Sequence, residues 1–148
     1  MLSIAHGPTG AFIAKVIPNP FISTPLILLS HYLEDHIPHW DVGQGITNAH
    51  KNKALSFFQE LLFDFPFSIL LTYLLFQSGK PFDSMIWFGW FVGLLPDFIE
   101  FPRLFLNKRL GFLELHHRFH KWFHVSTPNK LWGLLPQIIL ILFFLLYR

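Results

Sequence analysis

The chain contains no cysteine. That excludes disulfide frameworks, thiolate metal sites and a cysteine nucleophile, and leaves any metal to histidine, aspartate or glutamate. Charge is also scarce: charged residues make up 14% of the 148 positions and apolar ones 52%, against roughly 25% charged in ordinary soluble domains. So few polar residues cannot cover the surface that a chain of this size exposes, and lipid is the expected solvent. The formal charge of +2 is small and the basic residues lie in short loops, which argues against nucleic acid as a partner. Neither Ser30 nor Ser126 sits in a glycine elbow, so no serine-nucleophile motif is present. The opening Met1 to Gly7 lacks the basic n-region and cleavage site of a secretory signal, and the first helix is expected to be retained.

What is present is apolar and punctuated by proline. Ile4 to Ile17 is stopped by Pro18-Asn19-Pro20, and Phe21 to Leu33 runs into Glu34-Asp35-His36-Ile37-Pro38. Both are shorter than the ~20 residues that comfortably cross hydrocarbon, and a tight helical hairpin dipping part way is one outcome. Leu55 to Phe76 is a full-length span carrying Glu60, Asp64 and Pro66. Met85 to Leu106 is another, expected to break at Pro96-Asp97 and at Pro102, and Leu131 to Tyr147 is the cleanest. Gly43 to Lys53 is a polar connector, and Asn107 to Lys130 mixes charge with aromatics like an interfacial helix plus a loop. The expected architecture is all-α: a single integral membrane domain over residues 1–148, with five short hydrophobic helices and an interfacial helix.

If all five elements cross, the N-terminus, the connector after Pro38 and the loop after Leu106 share one side. That side holds Lys51, Lys53, Arg103, Lys108, Arg109, Arg118, Lys121 and Lys130, against Lys15, Lys80 and Arg148 opposite. The positive-inside rule then places it, with the N-terminus, in the cytoplasm.

Histidines and carboxylates concentrate on that side. In His31-Tyr-Leu-Glu34-Asp35-His36-Ile-Pro-His39-Trp-Asp41, His31 and Asp35 are four apart on one helical face. Pro38 ends the helix and frees His39 and Asp41 to fold back. A second cluster, His116-His117-Arg118-Phe119-His120-Lys121-Trp122-Phe123-His124, puts His117, His120 and His124 on one face with His116 beside them, a spacing common to metal scaffolds and to interfacial helices. Asp97 follows Pro96 at the same predicted face, and His6 opens the first helix. A weak echo between Leu29–Glu34 and Leu95–Glu100 sets His31 and Asp97 at equivalent helix ends. Asp64, deep in its span, costs a few kcal/mol unless paired or protonated and is read as a supporting or proton-handling group. His36, His50, Asp83 and Glu114 read as solvated surface.

With His6 ahead of a glycine-containing helix, Leu-Pro-Asp97 in another, and His117-Arg118 opening a histidine-rich stretch, the chain resembles the bacterial membrane-bound metal-dependent hydrolases, the LexA-regulated inner-membrane family. More distantly it is similar to zinc-dependent phospholipases C. Where that family pattern has a second acid after Pro-Asp, this chain has Ile99 followed by Glu100, and no Thr-His-Ser element follows His117-Arg118. The expected function is hydrolysis of a phosphoester or other ester of an amphiphile at the cytoplasmic membrane surface. His6, His31, Asp35, Asp97, His117 and His120 are the expected ligands of a divalent metal. Zn is the first choice, with Mn, Fe and Ni open. Glu34 or Glu100 is the expected general base, and His39, Asp41, His116, His124 and Asp64 are additional candidates. The competing class is a non-enzymatic membrane protein, either a divalent-metal carrier or a structural partner.

Overall fold

The computed structural model describes residues 1–42 and 53–147. Among these residues helix is the only regular structure apart from one isolated parallel bridge between His39 and Ser126. His50 and Lys51 of the connector, and Arg148, lie outside the described residues.

Six helices follow in order: α1 (Ser3–Val16), α2 (Pro20–His36), α3 (Leu55–Gln77), α4 (Ser84–Leu104), α5 (Gly111–Phe123) and α6 (Lys130–Tyr147). The expected six elements are all there, but among the described residues only α3, α4 and α6 have the length and apolarity of a membrane span. The breaks expected at Pro96 and Pro102 do not occur, because α4 runs unbroken past both. Inside an apolar bundle a lost N–H is tolerated while neighbouring helices hold the remaining backbone bonds together.

The 14-residue α1, which ends ahead of Pro18-Asn19-Pro20, is enclosed by protein. Ala5, Gly7, Gly10, Ala11 and Ala14 are all buried, and a helix apolar on every side belongs in a core. Its closest neighbour is α4. Gly10 meets Gly89 and the His6 carbonyl meets Gly93, so closely that a methyl group on any of these glycines would collide with the opposing backbone. Small residues at such spacing let two membrane helices touch main chain to main chain. Further along, Ala11, Leu75, Phe76, Ile86 and Phe144 fill the far end of the bundle.

The start of α1 has no capping side chain of its own, and α3 supplies one. Asp64 accepts the Ser3 and Ile4 amides at 2.6 and 3.2 Å, Glu60 accepts the Ser3 hydroxyl at 2.8 Å, and the Ser68 hydroxyl donates to the Ser3 carbonyl at 2.6 Å. A π turn over Glu60–Asp64 interrupts α3 at this point, as such turns often do where a helix serves a site. The deep acid of the third span is thus an N-cap supplied from another helix, fixing α1 one turn before His6. Asp64→Asn keeps only one of the two accepting oxygens and should lose part of the cap. Asp64→Ala, which loses both, should cost about 1 kcal/mol or more of stability, read by unfolding in detergent. Equal stability of Asp64→Ala and wild type would show that Asp64 does not cap α1.

Helix α5 lies across the site end of the bundle. Leu113 and His120 face inward, while Phe112, Leu115, Phe119 and Trp122 are exposed, the pattern of a helix at a lipid surface. Arg103 of α4 reaches Glu114 of α5 at 3.2 Å, so Glu114 is paired where the sequence suggested free surface. His36 and Asp83 are exposed as expected, with Asp83 capping α4 through the Met85 amide.

Candidate metal centre

Helix α2 ends at His36 because Ile37 precedes Pro38 and is extended, with φ −75° and ψ 129°. The chain then doubles back against the segment after α5. The Val125 amide donates to the Asp35 carbonyl at 2.9 Å, the His39 amide to the Val125 carbonyl at 3.1 Å, and the Thr127 amide to the His39 carbonyl at 2.8 Å. These backbone bonds bring the two histidine-bearing segments together. Gln137, buried in the middle of α6, secures them. Its amide donates to the Trp40 and Gly133 carbonyls at 2.8 and 3.0 Å, and its carbonyl accepts the Leu2 amide at 3.1 Å. Sequence reasoning passed over Gln137, although a lone amide in an otherwise apolar span is a signal of function or polar pairing.

Asp35 is the hub. Its side chain is fully buried, and its two oxygens look in different directions. Oδ2 lies 2.7 Å from His120 Nε2 and 3.5 Å from His31 Nε2, while Oδ1 lies 3.1 Å from His6 Nε2 and 3.7 Å from His39 Nε2. The Met1 ammonium also donates to Asp35, and lies 2.8 Å from His6 Nε2. Asp97 completes one side, 3.8 Å from His31 Nε2 and 4.0 Å from His120 Nε2. His31, Asp35, Asp97 and His120 therefore converge as one group of metal-ligand atoms.

The outer nitrogens of these imidazoles are anchored. His31 Nδ1 donates to the Gly93 carbonyl at 2.8 Å, and His39 Nδ1 to the Ile37 carbonyl at 2.8 Å. A carbonyl can only accept, so Nδ1 carries a proton in both rings and Nε2 is the nitrogen turned inward. His6 does the same, with Nδ1 on Glu34 at 2.7 Å, and His120 Nδ1 lies 3.8 Å from Glu100. Imidazole ligands characteristically bond a metal with one nitrogen and donate the other to a carbonyl or carboxylate. The buried Nε2 of His31 makes no hydrogen bond, an arrangement that costs free energy unless something else satisfies it.

Charge follows the same geometry. Burial alone would depress the His120 imidazolium, but the Asp35 and Glu100 carboxylates outweigh it and raise its pKa to about 10. Burial dominates at His124, assisted by the Met1 ammonium, and lowers it to about 4. Asp41 is pushed up by burial yet held below its usual range by His39 and His124.

Of the expected ligands, His31, Asp35, Asp97 and His120 come together, and His6 touches Asp35. His117 stands apart from that group. On α5 it is His116 that lines up with His120 and His124, with ring centroids 5.7 and 5.6 Å apart along the series. His116 and His117 both face Glu100, at 3.2 and 3.1 Å, and Glu100, His116 and His120 form another group with ligand spacing. Glu34 and Glu100 are thus both in contact with histidines. His39, Asp41 and His124 lie on the far side of Asp35, whereas Asp64 is engaged with the start of α1. The donor set, nitrogen and oxygen without sulfur, suits Zn, Mn, Fe or Ni. No family model, curated protein or solved structure matches the chain.

Proposed function

We propose that this protein is a membrane-embedded metal-dependent hydrolase acting on a phosphoester or other ester of an amphiphile at the cytoplasmic membrane surface, as its resemblance to the membrane-bound metal-dependent hydrolases implies. The observation that supports this reading is the common orientation of buried imidazoles, Nε2 inward and Nδ1 anchored, around a shared carboxylate. A divalent metal held by His31, Asp35, Asp97 and His120 would lower the pKa of a bound water to near 7 and polarise the scissile group. Asp97, 35% exposed where its neighbours are buried, marks the side from which water and substrate approach. In this reading Glu100, beside His120 and in contact with His116 and His117, would take the proton of the attacking water, and Glu34 would orient His6. An apolar groove of about 540 Å³, lined by Ile37, Pro38, Trp132, Leu135, Pro136 and Ile139, runs from the residue before His39 along the membrane-length α6, a fitting place for an acyl chain. A carrier would need polar groups leading away through the span. Glu60 and Asp64 are instead committed to Ser3 and Ile4.

Detergent-purified wild type from metal-replete cells should carry stoichiometric transition metal and cleave a chromogenic phosphodiester. His31→Ala should lose both, by at least the 10- to 100-fold typical of even an outer partner. A cysteine at Leu110 should be labelled from the cytoplasm. Wild type free of stoichiometric metal would defeat the proposal.

A further inference from the structure

We infer that the centre binds a second divalent cation, held by His39, His124 and Asp41 and joined to the first through Asp35 as a bridging carboxylate. The inference rests on the reading of His31, Asp35, Asp97 and His120 as the first metal site, and it makes the hydrolase binuclear.

Distances carry the argument. Two nitrogens bound to one tetrahedral ion at the usual 2.0–2.1 Å lie roughly 3.3 Å apart. His39 Nε2 and His124 Nε2 are 3.1 Å apart. Asp41 Oδ2 lies 3.4 Å from His39 Nε2 and 3.5 Å from His124 Nε2, and Asp35 Oδ1 lies 3.7 Å from His39 Nε2. All four separations are close to the edge of such a tetrahedron, and Asp35, His39 and His124 converge as a ligand group.

Independent observations point to a ligand there. Asp41 Oδ2 is buried without a hydrogen-bond partner, on a side chain only 10% exposed, and it is aimed between the two imidazoles. His39 Nδ1 donates to the Ile37 carbonyl, which leaves Nε2, the nitrogen facing His124, as the one directed at the site. Two ring nitrogens at this range need a proton or a cation between them. The backbone bonds linking Asp35 to Val125 and His39 to Thr127 hold the pair in place without any ion. Finally, Asp35 turns Oδ2 to His31 and His120, while Oδ1, which also meets the Met1 ammonium and His6, faces His39. One carboxylate reaching both ways is how paired ions ~3.5–4 Å apart are commonly clamped for displacement at an ester.

The test is metal stoichiometry on the intact detergent-solubilised protein, reconstituted with Mn(II) and freed of excess. Wild type should hold two equivalents with an exchange-coupled electron paramagnetic resonance spectrum. His124→Ala should hold one equivalent and show the six-line signal of isolated Mn(II). Asp41→Asn preserves volume, guards against a misfolded alanine variant, and should weaken the second equivalent at least tenfold while leaving the first. One uncoupled equivalent in wild type, removed by His31→Ala but untouched by His124→Ala and Asp41→Asn, would overturn the second site and leave the mononuclear hydrolase standing. No bound metal at all would overturn both.

Discussion

Asp35→Asn should abolish metal binding at the proposed centre while the protein still inserts and stays helical. Asp35 is the one side chain whose oxygens face His6, His31, His39 and His120 together, so its loss removes a ligand from every ion the centre binds. Loss of a partner one shell further out costs 10- to 100-fold in affinity or activity. A shared ligand should therefore cost more than about 1,000-fold in turnover, roughly 4 kcal/mol at 1.4 kcal/mol per tenfold. Asparagine is the informative replacement. Either replacement leaves the Met1 ammonium and the His120 imidazolium without a counter-charge, and breaking a buried ion pair on one side costs about 3–5 kcal/mol. Asparagine, however, keeps the side-chain volume and one accepting oxygen, where alanine adds a cavity. That penalty would confuse unfolding with metal loss. Metal analysis and circular dichroism on the same sample separate them, and Asp35→Asn protein with wild-type metal content would remove Asp35 from the centre.

A single methyl group at Gly93 should do nearly as much damage from outside the ligand set. The Cβ of Gly93→Ala would run into the His6 backbone carbonyl, and neither backbone can yield without parting α1 from α4. Overpacking of this kind costs about 1–3 kcal/mol. The functional cost should be larger, because the same position carries the carbonyl that orients His31 and the contact that seats His6. Thermal unfolding in detergent and bound metal should both fall. Gly111→Ala, whose new methyl group meets nothing within 4 Å, should change stability by less than about 0.5 kcal/mol. Equal behaviour of the two variants would show that the close helix crossing is not what holds the site.

These two positions differ in how far local pattern reveals them. His31 and Asp35 share a face by the i,i+4 rule, and Pro38 visibly ends the helix and returns His39 and Asp41 toward it. The choice between His116 and His117 cannot be made that way. Spacing alone aligns His117 with His120 and His124 as readily as His116, and the alignment with His116 follows from how α5 lies on α4, with Leu113 turned inward and Glu100 beneath both histidines. Asp64 is similar: its depth in a span was legible, but the amides it caps belong to residues sixty positions away.

The helical architecture, the long apolar segments beginning at Leu55, Met85 and Leu131, and the gathering of histidines and carboxylates near helix ends are legible along the chain. These follow from apolar length, proline and short-range spacing, all properties of neighbours in sequence. That α1 is buried instead of lipid-facing, that the Asp35 oxygens meet several histidines, and that His39 meets His124 come from the packing of distant segments. Helical periodicity fixes a side chain's direction relative to its own helix axis, whereas the rotation of that helix is set by what it packs against. Here that packing depends on glycines touching main chain to main chain and on a loop bonded to a distant segment, contacts that periodicity within either segment does not encode.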